Sequence, residues 1–322
     1  MVGAAAIPKP SGPLVNLRLQ EEAVPPVHAA ATAVIAQLAH KCSIEINVHD
    51  LKDLEASRAV LPRGKKLYVS HLPTQTWQET KAACGAVVRA GFDPVPHLPV
   101  RRIAGVQALD GLLATLAENA GVREVLLIAG DCSQPAGPYS SVADVLRTGV
   151  LNKHGFRRVS LAAHPEGHPT VPIEEIRRAE REKAMIAREL DLEATFVTQF
   201  FFESVPFLNW IRELRAAGIT SRVMAGLAGP ARIAALVKYA VRCGIGTSIR
   251  ALAARRGSTL NLIADHGPQE IMRTLARELG AGTADFSGIH FFCFGGYLRT
   301  SKWLYQIERG QFSLTDDGGF DP

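Results

Sequence analysis

The chain has 322 residues, 47% hydrophobic and 21% charged, a globular composition long enough for one large domain or two smaller ones. Its net charge of +5 comes from scattered Lys and Arg; the densest groups, Arg101-Arg102, Arg177-Arg178 and Arg250 to Arg256, lack interleaved aromatics and read as solvated helix faces, not a nucleic-acid surface. Five separated cysteines with no C-x-x-C, no run near the ~18 apolar residues of a membrane span, and a start (M-V-G-A-A-A-I-P-K-P) without a charged leader or long apolar core predict a soluble cytoplasmic protein.

Residues 1–20, rich in Pro, Gly and Ala, read as a flexible arm. From 21 to 310, strand-like and helix-like segments alternate as one domain. Strands are predicted at Ser43–Val48, Lys66–Ser70, Asp93–His97, Glu124–Ala129, Arg158–Ala163, Thr195–Phe202, Arg222–Ala225 and Ile289–Phe294. Helical patterns intervene, among them Thr76–Ala90, Val106–Ala120, Ile173–Leu190, Pro206–Ala217 and Pro230–Cys243, and a last helix spans Thr300–Glu308. Two helices, around Ile249–Ala253 and Gln269–Leu279, fall between strands seven and eight, so an extra helix is inserted there. Residues 311–322, ending T-D-D-G-G-F-D-P, read as a frayed C-terminal tail. Eight strands joined by helices imply parallel crossovers and predict an α/β fold, a single (β/α)8 TIM barrel; a doubly wound open sheet is the alternative.

The run Phe196–Phe202 (F-V-T-Q-F-F-F) reads as a buried strand carrying Thr198 and Gln199. A buried amide without a partner costs about 1–3 kcal/mol, so Gln199 is either a structural bridge or a reader of a polar ligand. Strand one alternates: Ile44, Ile46 and Val48 face the helices, while Ser43, Glu45 and Asn47 point into the barrel. A carboxylate there is costly unless paired or used. Desolvation should raise its pKa, which suits a general acid; a buried Arg or Lys partner is the alternative. In such barrels the chemistry sits at the C-terminal strand ends. Strand three ends there at His97, strand four at Gly130-Asp131, and strand five at H-P-E-G-H-P with His164, Glu166 and His168. His97 could instead end a strand, and Asp131 could be a turn or cap residue. His164 and His168 are four apart, but Pro165 and Pro169 stop the helix a zinc pair needs, so no metal is expected. Gly244 and Gly246 open a G-x-G with Ile249 where the third glycine belongs, and no P-loop or G-x-S-x-G occurs.

These residues resemble the methylenetetrahydrofolate reductase family, over roughly Cys42 to Gln306. The most specific piece is T-Q-F-F-F at Thr198–Phe202, supported by Glu45, P-H-L at Pro96–Leu98, Gly130-Asp131, A-A-H-P-E-G-H-P at Ala162–Pro169, A-G-L-A-G-P at Ala225–Pro230 and the stretch ending at Arg299. The resemblance implies a (β/α)8 barrel that reduces 5,10-methylenetetrahydrofolate to 5-methyltetrahydrofolate with NADH or NADPH, commonly through FAD, in methionine biosynthesis or methyl recycling. Glu45 resembles the general acid that protonates N10, Asp131 the carboxylate that contacts the pterin, and Gln199 the amide that reads its edge. Tyr239 stands where the family stacks a Phe on folate or nicotinamide, and Arg299 is the remaining substrate contact. His97, Gly130, Tyr139, Ser141, His164, His168 and Lys183 fall on the flavin side. The flavin-side pattern departs at Leu72, Ala129 and His164, where the family has Thr, Arg and Tyr. The resemblance implies no nucleic-acid or membrane partner and allows a homo-oligomer. A pterin-binding methyltransferase on the same barrel is the alternative function.

Overall fold

The computed structural model describes residues 26–243 and 265–322. Eight parallel strands close into a barrel in chain order, β1 (Ser43–Ile46), β2 (Lys66–Val69), β3 (Asp93–Pro99), β4 (Glu124–Ile128), β5 (Arg158–Ala163), β6 (Glu193–Phe200), β7 (Arg222–Ala228) and β8 (Gly288–Phe292), with β8 pairing back onto β1. Closure excludes the open-sheet alternative and leaves no sheet edge unpaired.

Among the described residues the helices of six residues or more are α1 (Pro26–His40), α2 (Trp77–Arg89), α3 (Val106–Asn119), α4 (Val142–Arg147), α5 (Ile173–Glu189), α6 (Ser204–Ala216), α7 (Ile233–Arg242), α8 (Gln269–Gly280) and α9 (Tyr297–Glu308). Two of them, α7 and α8, lie between β7 and β8, one more than the repeat needs, and α8 is the helix predicted at Gln269–Leu279. The helix expected around Ile249–Ala253, the Gly244–Ile249 segment, Arg250–Arg256 and the N-terminal arm lie outside the described residues. The alternation read from the sequence decides which side chains go where. Ile44, Ile46, Leu67, Val69, Leu127, Val159, Leu161 and Phe196 pack outward against the helices. Tyr68, Val95, Leu126 and Val197, with Met224 against them, form a separate apolar layer inside the barrel.

Two expectations change. Strand one ends at Ile46, because Asn47 caps a 3-10 turn over Val48–Asp53 instead of pointing inward: its side chain accepts from His49 N at 2.8 Å, and Asp50 accepts from Asn47 N at 2.9 Å. The C-terminal residues are not frayed. Ser313–Leu314 pairs with Phe320–Asp321, Arg273 donates to Thr315 O (2.6 Å) and Gly319 O (2.8 Å), and buried Phe320 stacks on Trp303.

Candidate active site

At the C-terminal mouth of the barrel, Glu45 sits one residue before the end of β1, facing inward. Ser70 Oγ, just past β2, donates to Glu45 Oε1 at 2.8 Å. The second carboxylate oxygen, Oε2, is flanked by two imidazoles: His97 Nε2 from β3 and His290 Nε2 from β8, each 3.7 Å away. That distance is too long for a hydrogen bond, and both nitrogens are buried without a partner. Among the described residues no buried Arg or Lys pairs with Glu45.

Burial pushes the Glu45 carboxyl up, but the His290 and His97 imidazoles and the Ser70 hydroxyl outweigh it, and the net direction is downward. This corrects the expectation of a raised pKa. The physical reason is that donors converge on Glu45 from strands distant in the chain, which the alternation of one strand cannot show. His97 is lowered by burial, with Glu45 pulling the other way and His290 adding to the decrease. His97 is part of the barrel interior and not a strand end, since β3 runs on to Pro99.

Gln199 lies on β6 at a bulge: the pairing with β7 shifts register between Val197 and Phe200. The bulge is held by Gly226 N, which donates to Thr198 Oγ1 at 2.8 Å, and it needs glycine there, because a Cβ on Gly226 would lie 2.3 Å from Thr198 O and 2.8 Å from Gln199 O. Gln199 Oε1 accepts from Phe200 N at 3.1 Å. The amide oxygen is therefore a local bridge, while its Nε2 has no protein partner among the described residues. The bridge reading holds for the amide oxygen.

Asp131 follows Gly130, whose φ of +91° suits glycine and where a Cβ would lie 2.9 Å from Pro99 Cβ. The Asp131 side chain is 62% exposed and faces Arg102 Nη2 at 3.7 Å. Arg102 is in turn tied to Leu72 O and Pro73 O. Tyr239 on α7 is half-buried and stacks on Phe294, with ring centroids 4.2 Å apart, next to Phe292, Phe200 and Phe202. Arg299 is exposed in the first turn of α9.

The flavin-side residues behave differently. Ser141 caps α4: its hydroxyl accepts from Asp144 N, and its amide donates to Asp144 Oδ2 at 2.8 Å. Tyr139 is buried in the main core. Lys183 Nζ donates to Ala162 O at 2.7 Å, and burial lowers its pKa to about 8 while Glu180 pulls it up. His164 stays neutral, lowered to about 3 by burial, Lys183, His168 and Arg177. His168 Nδ1 faces Thr170. Ala129 stands where the family has an arginine, Lys183 gives one N–H to a strand carbonyl, and Ser141 Oγ accepts from a helix amide.

Sequence reasoning missed His290 and Ser70. The inward alternation of G-I-H-F-F, which places His290 in line with Gly288 and Phe292, was the available signal for the histidine.

A family model described as Methylenetetrahydrofolate reductase matches residues 72–291. A Salmonella typhimurium 5,10-methylenetetrahydrofolate reductase is 29% identical over 148 residues, 44% of this chain and 46% of that protein. The Escherichia coli protein of the same name is 29% identical over 143 residues, 43% and 45% of the two chains. A maize (Zea mays) Methylenetetrahydrofolate reductase (NADH) 1 is 27% identical over 135 residues, 38% of this chain and 22% of that one. The match thus spans about half the length of the bacterial relatives. Glu45 lies ahead of the matched segment, which does contain Asp131, Gln199, Tyr239 and His290. With a closed eightfold barrel and the family model covering most of the chain, the protein belongs to the methylenetetrahydrofolate reductase family.

Proposed function

We propose that the protein reduces 5,10-methylenetetrahydrofolate to 5-methyltetrahydrofolate, taking hydride directly from NADH or NADPH, with Glu45 as the general acid. The observation that carries this reading is Glu45 itself, an inward carboxyl at the barrel mouth with Ser70 fixing one oxygen and two imidazoles facing the other. Glu45 gives its proton to N10, the methylene–N10 bond breaks, and an iminium forms at N5. Hydride then adds to the exocyclic carbon, leaving a methyl group and oxidised nicotinamide. Gln199 Nε2 and Asp131 supply a donor and an acceptor to the pterin edge, which is the pattern a flat heterocycle requires. Tyr239, backed by Phe294, is the stacking platform, and Arg299 on α9 is the remaining contact for substrate.

Direct transfer is supported by Ala129 in place of the family's arginine and by the internal bonds of Ser141 and Lys183. NADH is favoured as donor by the name of the maize relative. The family assignment favours reduction over methyl transfer from 5-methyltetrahydrofolate. The test is oxidation of NADH or NADPH that depends on methylenetetrahydrofolate and persists in protein without a flavin band; a protein that oxidises neither in the presence of that substrate overturns the proposal.

A further inference from the structure

His290 stands at the site without a part in the chemistry above. It is wholly buried, with its ring edge-on to Tyr68 (centroids 4.6 Å) and to Phe292 (4.9 Å), so its orientation is fixed by packing. Nδ1 lies 2.9 Å from Ser43 Oγ, the residue directly opposite in the β1–β8 ladder. Nε2 points at Glu45 Oε2 from 3.7 Å and has no hydrogen-bond partner. A buried polar atom left unpaired costs about 1–3 kcal/mol, so two such nitrogens facing one oxygen call for an explanation. Catalytic hydrogen bonds are often long before substrate closes the site, and a few tenths of an ångström would complete these.

We propose that His290 is a positioning residue for Glu45. Ser43 donates its hydroxyl proton to Nδ1, so the imidazole carries its proton on Nε2 and holds Glu45 Oε2 with that N–H. His97 Nε2, facing the same oxygen, accepts from the Glu45 O–H. The transferable proton is then shared between Glu45 and His97, and the pair titrates as one unit. When Glu45 has passed its proton to the substrate nitrogen, the His290 N–H remains on the carboxylate, and solvent restores the proton for the next turnover. This inference rests on the reductase reading, because a Glu45 that donates no proton needs no such holder.

The remaining groups that act on the cluster are in place for this. His71, after β2, is lowered to about 4 by burial, Arg102 and His97. Burial pushes the Cys293 thiol, just past the end of β8, up, and also pushes Tyr68 up. Asp50, in the turn after β1, is raised by burial against its bond from Asn47. His71, Cys293 and Tyr68 therefore hold one protonation state near neutrality, and the limb that belongs to Glu45 with His97, both of them lowered, lies on the acid side of it.

The sign follows from the role. Reduction needs the shared proton, so kcat/KM falls as pH rises through the pKa of the pair. A donor to the ionised carboxylate lowers that pKa, and its removal raises it. His290→Phe should lower kcat about tenfold or more and move the alkaline limb of kcat/KM up by about one pH unit. His290→Gln, which keeps an N–H donor near the Nε2 position, should leave the limb where it is. Ser43→Ala, a small change that releases the tautomer, should move it in the same direction as His290→Phe and covers the case in which that variant fails to fold. A limb that stays put in both Ser43→Ala and His290→Phe, with kcat reduced or not, overturns the positioning role while leaving the reductase reading intact. Failure of the wild-type protein to oxidise NADH or NADPH with methylenetetrahydrofolate overturns the reading beneath it.

Discussion

The two halves of the barrel mouth use their polar side chains in different ways. On the β1–β2–β3–β8 side, Glu45, His97 and His290 converge with hydrogen-bonding capacity left over. On the β4–β5 side, Ser141 caps a helix, Lys183 donates to a strand carbonyl and Tyr139 packs in the core. Spare capacity in a buried site is what a substrate can satisfy; capacity already used is structure. Resemblance of residue types does not separate these cases, because a serine that caps a helix and a serine that binds a phosphate look alike in sequence.

The largest effect that would break this contrast is at Glu45. Glu45→Gln should reduce kcat by about 10²–10⁴-fold, the range of a general acid, with folate binding nearly unchanged. A variant that kept wild-type turnover would remove the catalytic half of the comparison. Next is Gly226→Ala, whose Cβ would meet Thr198 O at 2.3 Å and force the β6 bulge open. It should cost about 1–3 kcal/mol in denaturant unfolding and weaken folate binding through Gln199. Gln199→Ala alone should weaken folate binding about tenfold, the loss of one or two hydrogen bonds, with kcat less affected and the fold intact. Equal binding by Gln199→Ala would leave that side chain as a bridge only. Smallest is Ser141→Ala, which should lower stability by about 1 kcal/mol through the lost cap while NADH and folate kinetics stay at wild-type values. A change in nucleotide or flavin affinity instead would return Ser141 to the binding half.

Much of the fold was legible because it rests on alternation. Each strand's outward Ile, Leu and Val and the helices between them required parallel crossovers, and the eightfold count closed the barrel. Glu45 was legible for the same reason, as a carboxylate at an inward position. Its protonation was not, since His97, His290 and Ser70 reach it from three other strands and reverse the effect of burial. His290 was hidden in G-I-H-F-F, where a single histidine among apolar neighbours reads as core. The Ser141 cap was readable in principle, because S-V-A-D has the spacing of a capping box. The C-terminal hairpin was also marked, by Phe312 and Phe320 on either side of D-D-G-G, and only its burial against Trp303 shows that it is packed.

The contrast between the two halves is tested most directly by the rate of NADH and NADPH oxidation in protein stripped of flavin, with methylenetetrahydrofolate present. Turnover that depends on the folate and does not change when FAD is added is the expected result. No turnover until FAD is supplied, followed by a flavin band that bleaches with nicotinamide, would contradict it.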